Sequence, residues 1–259
     1  MTTATIHNTD PGPAAPASAA EHAHALAAYA FARHVRHDVA NHQGAIQMLD
    51  TVRQMQAAGS NVPLPPELQP EAMNQKLQDS AVIIATLAYD MVILSQSASP
   101  IVERHLTGQC DARALLRQNI IERLPAGSPP PAAVDALPEG LMLRGDDYLL
   151  AAVLAAAYFQ WCPNLHPNDR AAGLTCDDDG QVLTLTIPAD DIEAVRTYAA
   201  QRAAGVDALV AQLEDQPQAV STAALALWLA HFNLCKLEGS VDAEGDSEQA
   251  TLTVRLRRA

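Results

Sequence analysis

The chain has 259 residues, enough for two domains, and 49% of them are hydrophobic, but only 4% are aromatic. Its helices must therefore pack closely on alanine-sized side chains. A formal net charge of −14 argues against a general nucleic-acid or anionic-membrane binder, because both recruit basic surfaces.

In chain order, residues 1–18 are rich in Pro, Ala, Thr and Ser and read as a disordered tail. From about Ala19 to Ala58 a helical pattern runs without proline. Its apolar or small positions fall at Ala25, Ala28, Ala32, Val35, Val39, His42, Ile46 and Leu49. Steps of three and four mark the seam of a bundle. Gly59, Ser60 and Asn61, followed by Pro63, Pro65 and Pro66, end it. A second helix is expected from about Pro66 to Ser97, with Met73, Leu77, Ser80, Ile84, Leu87, Met91 and Leu94 on one face. Together they make an antiparallel two-helix hairpin over residues 19–105. One hairpin cannot bury both faces of such apolar helices, so two are expected to pair as a four-helix bundle in a homodimer.

Residues 106–259 change character. Asp111–Leu124 reads as a short amphipathic helix and Pro125–Pro138 as a Pro/Ala loop. Leu141–Leu143 reads as a short strand, and Asp147–Trp161 as a helix apolar enough to be buried. Gln181–Ile187 alternates like a strand. Asp191–Leu213 and Thr222–Leu237 read as helices, and Thr251–Leu256 alternates again. The expected class is α+β, a helical hairpin followed by a two-layer α/β sandwich. No run of about 18 apolar residues is long enough to span a bilayer, and no secretory leader pattern precedes the first helix. Cys110, Cys162, Cys176 and Cys235 form no C-x-x-C pair and read as inert thiols. The expectation is a cytoplasmic protein.

The residues with the clearest chemistry are His37, Asp38 and Asn41. If Val35, Val39, Ile46 and Leu49 define the seam, His37 faces outward, with Asn41 and Gly44 following along one exposed stripe. Asp38 is placed to bond one ring nitrogen and leave the other as a nucleophile. Asn41 is placed to position a phosphoryl oxygen or a water. Arg33 and Arg36 would attract a phosphate or an acidic partner pocket. Ala40, Gly44 and Ala45 leave a shallow surface for a partner, extended by the adaptable Met48. His34, Asp38 and His42 have metal-compatible spacing, but the sequence points to no third strong ligand from elsewhere, so no metal is expected.

The segment Arg33–Ile46 resembles the H-box of two-component sensor histidine kinases, where the matching histidine is phosphorylated. The resemblance extends in order to about residue 259. Asp111–Leu124 is similar to the helix that opens the kinase catalytic domain. Gly145–Leu149 through Val153-Leu154 looks like the entry to the N-box helix. Ala223–Leu256 looks like the last helix and strand, with Leu237–Val241 at the turn between them. By this resemblance the second half is a degenerate ATPase sandwich of the GHKL-like type.

Three departures concern nucleotide binding. The N-box asparagine positions align with Ala156 and Gln160, and alanine has no oxygen for a metal. The place of the adenine-binding Asp-x-Gly-x-Gly reads Pro188-Ala189-Asp190-Asp191-Ile192-Glu193, with no glycine. The expected glycine-rich phosphate loop reads Gln218-Ala219-Val220-Ser221-Thr222-Ala223-Ala224, a poor source of a backbone N–H cradle. His42 also replaces the proline that often follows the asparagine.

The pattern is similar to ChpT-like histidine phosphotransferases. That implies relay of a phosphoryl group between response-regulator receiver aspartates through His37, with no ATP and with Mg2+ supplied by the receiver. The implied partners are receiver domains, a hybrid sensor kinase and a second copy of the chain. The alternatives are a non-catalytic pseudokinase that binds a regulator or kinase, and an active kinase or regulator phosphatase with an unusual nucleotide site.

Overall fold

The computed structural model describes residues 18–57, 69, 71–77, 105–120, 131–159, 173–189, 191–245 and 249–259. The expected N-terminal tail except Ser18, most of the expected second helix and Cys162 lie outside them, and residues 71–77 of that helix are helical. The architecture is α+β, with one long N-terminal helix ahead of antiparallel sheets.

Helix α1 (Ala19–Ala57) has 39 residues and is about 58 Å long at 1.5 Å per residue. It starts on a reciprocal cap. Glu21 N donates to Ser18 Oγ at 3.2 Å, and Ser18 N donates to Glu21 Oε2 at 2.7 Å. This satisfies an otherwise orphaned helix donor.

A small sheet of β1 (Gln109–Asp111) and β2 (Met142–Arg144) flanks α2 (Ala112–Asn119) and the short α3 (Ala132–Asp135). Asp111 caps α2 by accepting from Ala114 N at 2.8 Å. Helix α4 (Asp147–Leu154) continues as a π-helical turn, Ala155–Phe159, in place of the uninterrupted α-helix expected to Trp161. Residues 160 and 161 lie outside the described set. As expected, α4 is buried: Leu149, Leu150, Ala152, Val153 and Leu154 are all core residues.

The main sheet runs in the order β3 (Thr175–Asp178), β4 (Val182–Pro188), β6 (Ala250–Arg257), β5 (Ser240–Gly245), all antiparallel. Period-two alternation puts Leu183, Leu185 and Ile187 on one face, opposite Leu256, Val254 and Leu252. The other face carries Thr184, Thr186, Thr251 and Thr253, all half-buried. The single helix expected over Asp191–Leu213 is two helices, α5 (Ile192–Ala204) and α6 (Val206–Asp215). Gly205 between them has φ 92°, a conformation that costs glycine little and turns the chain. A 3-10 turn, Pro217–Ala219, leads into α7 (Thr222–Lys236).

Every residue of α7 from Ala223 to Leu234 is buried. Its neighbours explain why. α5 and β5 contact it on one side and α1 on another, so the helix has no solvent face and is apolar all round. α1 also packs on α6. Ala23, Ala27, Ala28, Ala30, Phe31 and Val35 of α1 belong to the same continuous core as the sheet. The His24 ring stacks on Phe232 with centroids 5.3 Å apart, and His22 Nε2 lies 3.2 Å from Glu214 Oε1.

This contact corrects the expected seam. Ala25 was placed inside and is exposed, while Ala23, His24, Ala27 and Phe31 are inside. Alanines occupy nearly every face of this stretch, so their spacing cannot choose one. The burial of Phe31 and Val35 chooses it.

Around His231 the layers are tied by polar groups. Arg202 Nη1 donates to His231 Nε2 at 2.9 Å, and Arg202 Nη2 donates to Asp242 Oδ1 at 3.2 Å. Tyr198 Oη donates to the Val241 carbonyl at 2.7 Å, and Trp228 Nε1 donates to Gln201 Oε1 at 2.7 Å. Burial first, and then the Arg202 cation, push the His231 imidazole down to about 4 from its ordinary 6.5. The unfolded chain therefore takes up a proton in that window and the fold does not. The contribution is full above pH 6.5 and is lost as pH falls to about 4, with a size on the order of 3 kcal/mol. Urea unfolding across this range is expected to show falling stability for the wild type and a flatter profile for His231→Gln. Equal slopes would contradict the assignment.

Candidate functional site

His37 lies two residues beyond Val35, about 3 Å further along the helix axis. Val35 is 2% exposed, whereas His37 is exposed. The histidine thus emerges where α1 leaves the core. Leu49 is also buried, and Val39, His42, Ala45 and Ile46 are half-buried on the intervening turns. Arg33, Arg36, Ala40, Asn41 and Gly44 are exposed alongside His37, and Met48 is 59% exposed. His37, Asn41 and Gly44, the three residues expected along one outward stripe, are all exposed. Asp38 is on the same helix, and its side chain lies outside the described set.

Among the described side chains, Asn41 contacts the His37 ring. Asn41 Nδ2 lies 3.1 Å from His37 Nδ1. An amide N–H can only donate, so this contact pairs with the tautomer in which Nδ1 accepts. The spacing of one helical turn makes this possible, since residues four apart lie one above the other.

Among the described residues, nothing packs closely enough on Gly44 to require a glycine. A Cβ built on it meets nothing within 4 Å. It keeps the helix surface flat one turn past Asn41. Two exposed apolar side chains on the same helix were missed: Tyr29, 69% exposed, and Met55, 57% exposed. Their signal was available, because stepping by about four from His37 through Arg33 reaches Tyr29, and from Gly44 through Met48 it approaches Met55.

The positions that the resemblance aligned with a nucleotide site have structural roles of their own. Ala156 is fully buried in the core. Asp191 accepts from Ala194 N at 2.9 Å and caps α5. Ser221 Oγ accepts from Ala224 N at 3.2 Å and caps α7, while Val220 beside it is fully buried. The α7 N-terminus is thus capped by its own chain. Gln160 and Asp190 lie outside the described residues.

The segment that enters the sheet-bearing part is pinned by another pair the sequence did not reveal. The Asp146 carboxylate accepts from Leu149 N at 3.0 Å, capping α4, and also pairs with His105 Nδ1. Burial raises the thiols of Cys110 to about 12 and Cys176 to about 11, so both are protonated at neutral pH. Among the described residues no group of three His, Cys, Asp or Glu side chains could hold a metal, and no helix is long and apolar enough to cross a membrane.

No protein-family model and no curated protein matches this chain. Among solved structures it is similar to the histidine kinase AdeS of Acinetobacter baumannii, at 14% identity and a TM-score of 0.42, over 83% of this chain and 95% of that one. A likeness that loose carries no argument about fold or activity.

Gly44→Ala is expected to raise stability by about 0.5–1 kcal/mol, the ordinary helix gain, because the added methyl meets open space. A shift of the urea midpoint to higher concentration would show it. A destabilised variant would contradict the open surface at Gly44.

Proposed function

We propose that this chain is a histidine phosphotransfer protein of a two-component phosphorelay, resembling the ChpT-like phosphotransferases. In this reading His37 takes a phosphoryl group from the phosphoaspartate of one receiver domain and passes it to the aspartate of another. The single observation that carries it is His37 itself: an exposed imidazole, engaged by Asn41, on a helix whose preceding turns are rooted in the core.

Such a transfer asks little of this chain. The receiver contributes magnesium and most of the charge stabilisation, and the histidine protein contributes position. Arg33 and Arg36 would meet the acidic rim of a receiver site. Ala40, Gly44 and Ala45 would let a partner helix approach, with Met48 as an adaptable contact. The sheet-bearing part would act as a degenerate GHKL-like platform beside the docked receiver.

What favours a relay over a kinase is the use made of the nucleotide-like positions. Ala156 offers no oxygen and faces the core, and Asp191 and Ser221 serve as helix caps. The rooted α1 also favours it. A kinase must bring bound ATP to its histidine, and residues buried in one shared core resist that movement.

The test is phosphoryl transfer from purified receivers charged with acetyl phosphate, comparing wild type with His37→Ala. The expected result is rapid, reversible labelling of the wild type by at least one receiver and none of His37→Ala. Labelling by ATP alone would point to a kinase. Binding of a receiver without labelling would point to a pseudokinase. Gly44→Ala, although more stable, is expected to transfer several-fold more slowly.

A further inference from the structure

We propose that Asn41 is a positioning residue whose carboxamide sets which nitrogen of His37 is nucleophilic, an inference that rests on the relay reading for its consequence. The observation is the 3.1 Å contact between Asn41 Nδ2 and His37 Nδ1. A neutral imidazole has one lone-pair nitrogen and one N–H nitrogen, and the groups that touch it decide which is which; Asn41 is one of them. With the amide N–H donating to Nδ1, the proton is held on Nε2. The lone pair then points back at the ring's own helix, and Nε2 cannot attack phosphorus. This is an idle setting.

A half-turn of the carboxamide gives the opposite setting. Its terminal torsion is broad and two-fold, so the turn has no intrinsic preference to overcome. Oδ1 then faces the ring and accepts from Nδ1–H. The exposed ring releases its Nε2 proton to water and takes one up at Nδ1, with no change in charge. The lone pair is now on Nε2.

When a phosphoaspartate arrives, that pair forms the N–P bond as the aspartyl O–P bond breaks, and the departing electron pair stays on the aspartate carboxylate. Nδ1–H is retained, and positive charge develops on the ring. An acceptor at Nδ1 stabilises that charge as it forms, whereas a donor opposes it. Asn41 can therefore act through the ring, whatever it also does to a phosphoryl oxygen or a water.

The experiment uses the full chain, labelled with 15N-histidine, at a pH well above the ordinary histidine value of about 6.5. Long-range 1H–15N spectra report the tautomer of His37 directly, and need no receiver. Wild type is expected to be the Nε2–H form. Asn41→Asp, which can only accept, is expected to be the Nδ1–H form. Asn41→Leu, similar in size with neither donor nor acceptor, is expected to fall between them. A wild type in the Nδ1–H form, or the same tautomer ratio in wild type and Asn41→Leu, would overturn the proposal.

A charged receiver then tests the consequence. Asn41→Asp is expected to take up the phosphoryl group several-fold faster than Asn41→Leu. Equal rates despite shifted tautomers would also overturn it. Failure of every variant to take up phosphate, with the tautomers shifted as expected, would sink the relay reading and leave the tautomer control standing.

Discussion

The structure depends on the burial of one helix face. From Ala23 to Val35, α1 lies against α6 and α7 and shares the core of the antiparallel sheet. Phe31 is the largest apolar side chain that α1 buries and is fully buried. Its removal from water contributes about 2–3 kcal/mol, and Val35 adds about 1.5–2 kcal/mol. The alanines add little area each but allow close approach of the helices. The His24 ring on Phe232 extends the contact toward the start of the helix.

That packing has consequences in both directions along the chain. Toward the sheet, it covers the side of α7 that α5 and β5 leave open, which is why a helix with no polar stripe can exist there. Toward the site, it fixes the axis from which His37 projects. The imidazole emerges within one turn of Val35, the last α1 residue in the core shared with the sheet, so its place relative to the sheet is set by core packing and not by a loop. A group that must meet a partner's active site benefits from such a rigid base, because misplacement of the reacting atom by about 1 Å costs a large factor in rate.

Much of this was legible in the sequence. The alternation of Gln181–Ile187 and Thr251–Leu256 found β4 and β6, the two central strands, because both bury one face fully and leave the other mostly half-buried. The outward stripe of His37, Asn41 and Gly44 followed from Val35 and Leu49, which do lie inside. What escaped was decided by tertiary contact or by weak local signal. The edge strand β3, reading Thr-Cys-Asp-Asp, and β5, with Val241 as its only fully buried residue, pair through backbone bonds and need few apolar side chains. Gly205 divides a helix that periodicity alone reads as continuous. Asn41, four residues away, lies against a His37 ring nitrogen, a contact that one helical turn makes and that the sequence order hides. His105 and Asp146 are 41 positions apart, and nothing local joins them.

The claim that α1 is rooted in the core is tested most directly by native-state hydrogen exchange, resolved by residue. Backbone amides from Ala27 to Val35 are expected to exchange only with the global opening that also exposes Trp228 to Leu234 of α7, with the same free energy and the same response to denaturant. Exchange of the α1 amides in a separate, lower-energy opening while α7 stays protected would contradict the account, because the helix would then be free to move away from the sheet-bearing part and carry His37 with it.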